Sequence, residues 1–130
     1  MTPAIPDFHD GLLEGVTLSP EKTLCLQLRA VSGERWAIYA PNLRRLKADN
    51  FCEGNIIFEF NVYSGRDCPE ALIKKLQGYS GENASHRLAG DLRQIADENW
   101  TLLEITSSYG CELLALSEAN PDSLGVVELK

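Results

Sequence analysis

The chain has 130 residues, of which 44% are apolar and 24% charged, and a net charge of −7. That length fits one domain, is too short for two ordinary ones, and can bury a core without disulfides or a metal. The acidic balance argues against DNA or RNA as a partner, because phosphate recognition needs clustered Lys and Arg; no apolar stretch approaches the roughly 20 residues of a membrane-spanning helix.

Residues 1–8, MTPAIPDF, hold two prolines and no period. They read as an extended arm without the apolar run of a signal peptide, which makes the cytoplasm the expected location. His9-Asp10-Gly11 reads as a turn, and LLEGVTLS (12–19) as a first strand with Leu12, Glu14, Val16 and Leu18 on one side. TLCLQLRA (23–30) is the cleanest signal: Leu24, Leu26, Leu28 and Ala30 alternate with Thr23, Cys25, Gln27 and Arg29, the period of a half-buried strand. RWAIYA (35–40) alternates again after Ser32-Gly33-Glu34, so the two runs predict an antiparallel hairpin. Pro41 ends it, having no N–H for the ladder.

In PNLRRLKADN (41–50), Leu43 and Leu46 stand three apart among Arg44, Arg45 and Lys47. That spacing fits one helical turn or an irregular crossover. IIFEFNVY (56–63) is the strongest strand, rich in β-branched and aromatic residues. Its Ile56, Phe58, Phe60 and Val62 form the face expected to centre the core, with Glu59 on the solvent side.

Asp67-Cys68-Pro69-Glu70 announces a helix, with Asp67 as N-cap, Pro69 in the first turn and Glu70 three residues past the cap. Leu72, Ile73 and Leu76 give it an apolar side and Gly78 closes it. In residues 84–99, Leu88, Leu92 and Ile95 make a second helical stripe, weakened by Gly90. TLLEITSS (101–108) starts another strand with Trp100 at its entrance, Tyr109-Gly110 interrupts it, and CELLALSE (111–118) resumes an extended pattern. Asn120-Pro121-Asp122-Ser123 is a turn before LGVVEL (124–129), a last edge strand. This order predicts an α+β fold within a single domain, 1–130: a curved antiparallel β-sheet of about six or seven strands, with one or two helices inserted near residues 67–98. The alternative is an all-β sandwich with a helical insertion.

The stretch NFCEGNII (50–57) gathers Asn50, Cys52, Glu53 and Asn55 around Gly54. Gly54 suits a positive φ, which Asn also tolerates, so this reads as a turn that sends Phe51 into the core while the next strand begins. As a site it lacks any spelled-out base and nucleophile. His9-Asp10 is a second candidate, since a His beside a carboxylate can serve as base or ligand. The competing reading has Asp10-Gly11 making a turn and His9 bonding a backbone carbonyl. Ser107, Ser108 and Cys111 are nucleophile types around a bend, but they do not spell the G-x-S-x-G of a hydrolase elbow. Glu14, Glu59, Glu104 and Glu112 lie in or near predicted strands, where paired carboxylates can act as acid and base.

Four cysteines, Cys25, Cys52, Cys68 and Cys111, form no C-x-x-C pair and read as reduced apolar fillers. With only two histidines a His-rich metal site is excluded, although a mixed site of one His and carboxylates is not; no metal or cofactor is expected. The negative charge is concentrated late: residues 94–130 carry seven acids and one base, Lys130. Glu104, Glu112 and Glu118, beside apolar residues such as Leu114 and Leu116, are the candidate contacts for a basic partner.

Phe8-His9-Asp10-Gly11 with Leu13 and Gly15, Asn50-Phe51 with Gly54-Asn55-Ile56-Ile57, and Ser108-Tyr109-Gly110-Cys111 together resemble a family of small uncharacterised bacterial domains without an established activity. The resemblance spans most of the chain outside the helical middle. It implies a bacterial origin and a compact β-rich domain, and it marks His9, Asp10, Asn50, Asn55 and Tyr109 as positions to inspect. In general build such domains are similar to the immunity proteins of toxin systems. The functional expectation is therefore a non-enzymatic binding, immunity-like or regulatory domain that meets a basic protein through its acidic C-terminal third. The alternative is a small ligand-binding protein or enzyme using a cleft of His9, Asp10, Asn50 and Asn55. A third possibility is a self-associating structural domain.

Overall fold

The computed structural model describes residues 2–130. They form one unclosed antiparallel sheet of eight strands with two α-helices, an α+β arrangement. The strands are β1 (Leu12–Leu18), β2 (Leu24–Arg29), β3 (Arg35–Ala40), β4 (Leu43–Asp49), β5 (Asn55–Ser64), β6 (Thr101–Tyr109), β7 (Glu112–Ser117) and β8 (Gly125–Leu129), and they lie in the order β4-β7-β6-β5-β1-β2-β3-β8. Helices α1 (Glu70–Gln77) and α2 (Ala84–Glu98) fill the connection between β5 and β6.

The sheet has two halves that meet only narrowly. Strand β1 pairs with β5 through Leu12↔Ile56 and Leu13↔Asn55 alone. On either side of that seam the halves fold toward each other around one core, which draws Leu24, Leu26, Leu28 and Ile38 from one half and Ile57, Leu103, Ile105, Leu113 and Ala115 from the other. The two-residue link Pro41-Asn42 carries the chain from β3 straight across to β4, and the Leu43 N–H donates to the Lys22 carbonyl. The opposite face of the β6–β7 half packs on the helices: Leu102, Leu114 and Leu116 meet Ile73, Leu76, Leu88 and Ile95. Burial on both faces is why 101–105 and 113–117 read as nearly continuous apolar runs rather than alternating ones.

The hairpin of residues 23–40 forms as expected, with Leu26 opposite Ile38 and Gly33 at φ 105 in its loop. Residues 125–129 form an edge strand beside β3. Both helical stripes bury as predicted, and Gly78 ends α1 in the left-handed conformation. The helix start differs from the sequence reading. Residues 65–67 make a separate 3-10 turn, α1 begins at Glu70 after Pro69, and no side chain, Asp67 included, caps it.

Three further corrections share one cause, the extra residue of a β-bulge. Residues 43–49, expected as a helical turn or crossover, are a strand paired with β7. A bulge between Leu43 and Arg45 adds one residue to the strand period, so a spacing of three still leaves both Leu43 and Leu46 against the main core. In β5, irregularities on both sides of Ile57 reverse the alternation. Ile57 is therefore fully buried, while Phe58, expected at the centre of the core, is 49% exposed; Phe60 and Val62 still pack against the core. In β1 the shift between Leu13 and Gly15 buries Leu13, leaves Glu14 and Leu18 exposed and lets Val16 reach the core.

Candidate functional site

Asn55 is 2% exposed at the seam between the two halves of the sheet. Its Oδ1 accepts from the backbone N–H groups of Cys52 and Cys111 at 2.8 and 2.9 Å. Its Nδ2 donates to the carbonyls of Leu13 and Cys52 at 3.1 and 2.8 Å. One amide thereby ties β1, the turn before β5 and the turn between β6 and β7. Buried polar side chains persist where all their bonds are made, and this one is saturated. Gly110 lets the last of those turns approach. It has φ 88, and a Cβ there would lie 2.5 Å from Asn55 Oδ1.

The other nominated residues surround this corner in structural roles. Asp10 (φ 62) and Asn50 (φ 60) hold left-handed turn positions that few residue types tolerate. Asp10 sits in the turn closed by Gly11 N–H to the Phe8 carbonyl, and its own N–H donates to Ile57 O. Gly54, expected to supply the positive φ of its turn, does not; Asn50 does. Phe51, expected in the core, is 51% exposed, and Tyr109, opposite Ile56, is 53% exposed. Glu53 is exposed on the turn. The three sequence motifs thus meet in space, through the backbone bond from Ile57 N–H to the Gly11 carbonyl and through the Asn55 side chain, which accepts from the Cys111 N–H. His9 belongs to the next surface along. Its Nδ1 lies 2.6 Å from the Phe58 carbonyl, its ring packs edge-on to Phe58, and Nε2 is 3.5 Å from Asp10 Oδ2. That carbonyl first, and then Asp10, raise the His9 pKa above its ordinary value.

The three candidate contact acids of the C-terminal third each have a partner, and two of them share one cavity. Glu104 accepts from Asn61 Nδ2 and the Tyr63 hydroxyl, both at 3.1 Å. Glu112 pairs with Lys75 at 3.8 Å, and both acids line a small cavity of about 50 Å³ with Lys47, Asp49 and Leu72 beside α1. Glu118 lies elsewhere, 2.8 Å from Arg44. Glu14 pairs with Arg29 and Arg35 across β1 and its neighbours. Among the described residues no group of three or more His, Cys, Asp or Glu is placed to hold a metal ion, and no helix is long and apolar enough to cross a membrane. The four cysteines are free. Burial pushes the Cys68 thiol up to about 11 and raises that of Cys111, so both are held as thiols inside the protein.

One surface feature was not legible in the sequence. Among the described residues, β5 pairs with β6 along its length, but its other edge has a partner only at Asn55 and Ile56, continued by two bonds between Ile57 and the Asp10–Gly11 turn. Residues 58–64 have no strand on that side. A groove of about 360 Å³ runs between this edge and the arm, lined by Ile5, Asp7, His9, Phe58, Glu59 and Asn61 among others, with no Lys or Arg in its walls. Searches against known protein families, curated proteins and solved structures found no match for the chain.

Proposed function

We propose that this chain is a non-enzymatic binding domain that takes an extended basic segment of a partner protein as an added strand along residues 58–64 of β5. The observation that carries the reading is the stretch of β5 with no strand on one side, whose Phe58–Asn61 part lines an acidic groove and whose Phe58 carbonyl alone is met by a side chain, His9 Nδ1. An open strand edge offers a row of backbone donors and acceptors that an extended peptide can complete, and side-chain pockets then select the sequence. The walls supply Asp7 and Glu59 as counter-charges and Phe58 as an exposed apolar contact. The net charge of −7 favours encounter with a positive partner from a distance. The cleft reading, with His9, Asp10, Asn50 and Asn55 acting on a ligand, has less support, because the Asn55 amide is already saturated by backbone and Asp10 and Asn50 serve as turn residues.

The test is an NMR titration with extended peptides in which Lys or Arg alternates with β-branched residues, against peptides with Glu in place of the bases. The basic peptides are expected to shift and protect the amides of residues 58–64, with affinity falling as salt rises and falling again in Glu59→Lys. Shifts confined to other strands, equal binding of the acidic peptides, or salt-insensitive binding would each refute the reading.

A further inference from the structure

Another hollow, of about 460 Å³, lies where α1, α2 and β4 come together. Its walls carry two arginines and one acid. Arg45 reaches it from β4 and Arg87 from α2, with His86 exposed beside Arg87. Among the described residues, Arg45 makes one hydrogen bond, Nε to the Leu76 carbonyl, and Arg87 makes one, to the Ser80 carbonyl, while its guanidinium stacks over the Tyr79 ring. A guanidinium carries five N–H donors, so both keep most of theirs for a ligand. The hollow also holds one acid, Asp91, whose Oδ2 accepts from the Tyr79 hydroxyl and from Gln77 Nε2, so the two arginines outnumber it by one charge.

Gly90 is the second, independent observation. It stands in the middle of α2, where glycine costs about 1 kcal/mol relative to alanine. Its φ lies outside the left-handed region, and a Cβ added there would meet no atom within 4 Å. Neither backbone strain nor packing inside the protein accounts for the missing side chain, yet Gly90 lines this hollow. The helix surface at Gly90 is thus left bare and open to a close approach from the hollow that a side chain would obstruct.

We propose that this hollow binds a phosphate group, free or carried by a small organic molecule, clamped between Arg45 and Arg87 and seated against the bare helix surface at Gly90. Two guanidinium groups arriving from different elements suit an anion with oxygens in several directions, which phosphate has and a planar carboxylate lacks.

The experiment is an amide NMR titration of the full chain with inorganic phosphate and, separately, with glycerol phosphate, each against sodium chloride of matched ionic strength. Saturable shifts at Tyr79, Arg87 and Gly90 are expected with phosphate and not with chloride; binding by the ester alone would show that the group arrives on a small molecule. Arg87→Gln should weaken binding about tenfold or more, the cost of one charge-assisted hydrogen-bonding group. Gly90→Ala should raise the melting temperature and weaken binding, two opposite effects that a merely structural role would not produce. Equal shifts with chloride, no saturation by either phosphate compound, or unchanged binding in both variants would overturn the proposal.

Discussion

Replacing Asn55 by Ala removes one side chain and leaves four backbone groups without their partner: the N–H of Cys52 and Cys111 and the carbonyls of Leu13 and Cys52. The two on half-buried Cys52 can turn to water, but Leu13 and Cys111 are 1% exposed and cannot. An unsatisfied buried donor or acceptor costs about 1–3 kcal/mol, so Asn55→Ala should cost about 3–5 kcal/mol, a large part of the stability of an ordinary domain. At the entropy of unfolding typical for this length, that lowers the melting temperature by about 10–20 °C. The assay is thermal and urea unfolding together with hydrogen exchange at the Cys111 amide, which should lose protection. Asn55→Asp provides the internal control. Its carboxylate still accepts from both N–H groups but faces the Leu13 and Cys52 carbonyls, so the variant should gain stability relative to wild type as acid protonates it and restores a donor. A loss below about 1 kcal/mol, or a Cys111 amide as protected as before, would refute the idea that this amide holds the corner.

Gly110→Ala should cost about 2–4 kcal/mol from left-handed strain and from the clash with Asn55, and combined with Asn55→Ala it should cost less than the sum, measured by a double-mutant cycle. His9 should titrate by NMR above the ordinary value of 6.5. A raised folded value means that its contribution to stability is fully present below the unfolded value and is lost as pH rises through the folded one; a titration at or below 6.5 would contradict the Phe58 and Asp10 contacts. Native protein treated with a thiol reagent at neutral pH should modify half-buried Cys25 and Cys52 well before Cys68 and Cys111, read by mass spectrometry of the peptides.

The sequence by itself determined the elements whose hydrophobic period runs uninterrupted. Residues 24–30 and 35–40 alternate cleanly and form the hairpin, and Leu72-Ile73-Leu76 and Leu88-Leu92-Ile95 mark the buried sides of both helices, because in each case local geometry alone puts those residues on one face. It also marked Asn55 and Gly110 as turn residues without showing that they touch. Tertiary structure decided the rest. One inserted residue in a strand reverses every side chain beyond it, and where the insertion falls is set by the partner strand, so the strand at 43–49 and the exposure of Phe58 followed from pairing with β7 and β6. The seam at Asn55, the open edge of β5 and the hollow at Gly90 each join segments far apart in the chain, and such contacts exist only once the two halves of the sheet and the helices have come together.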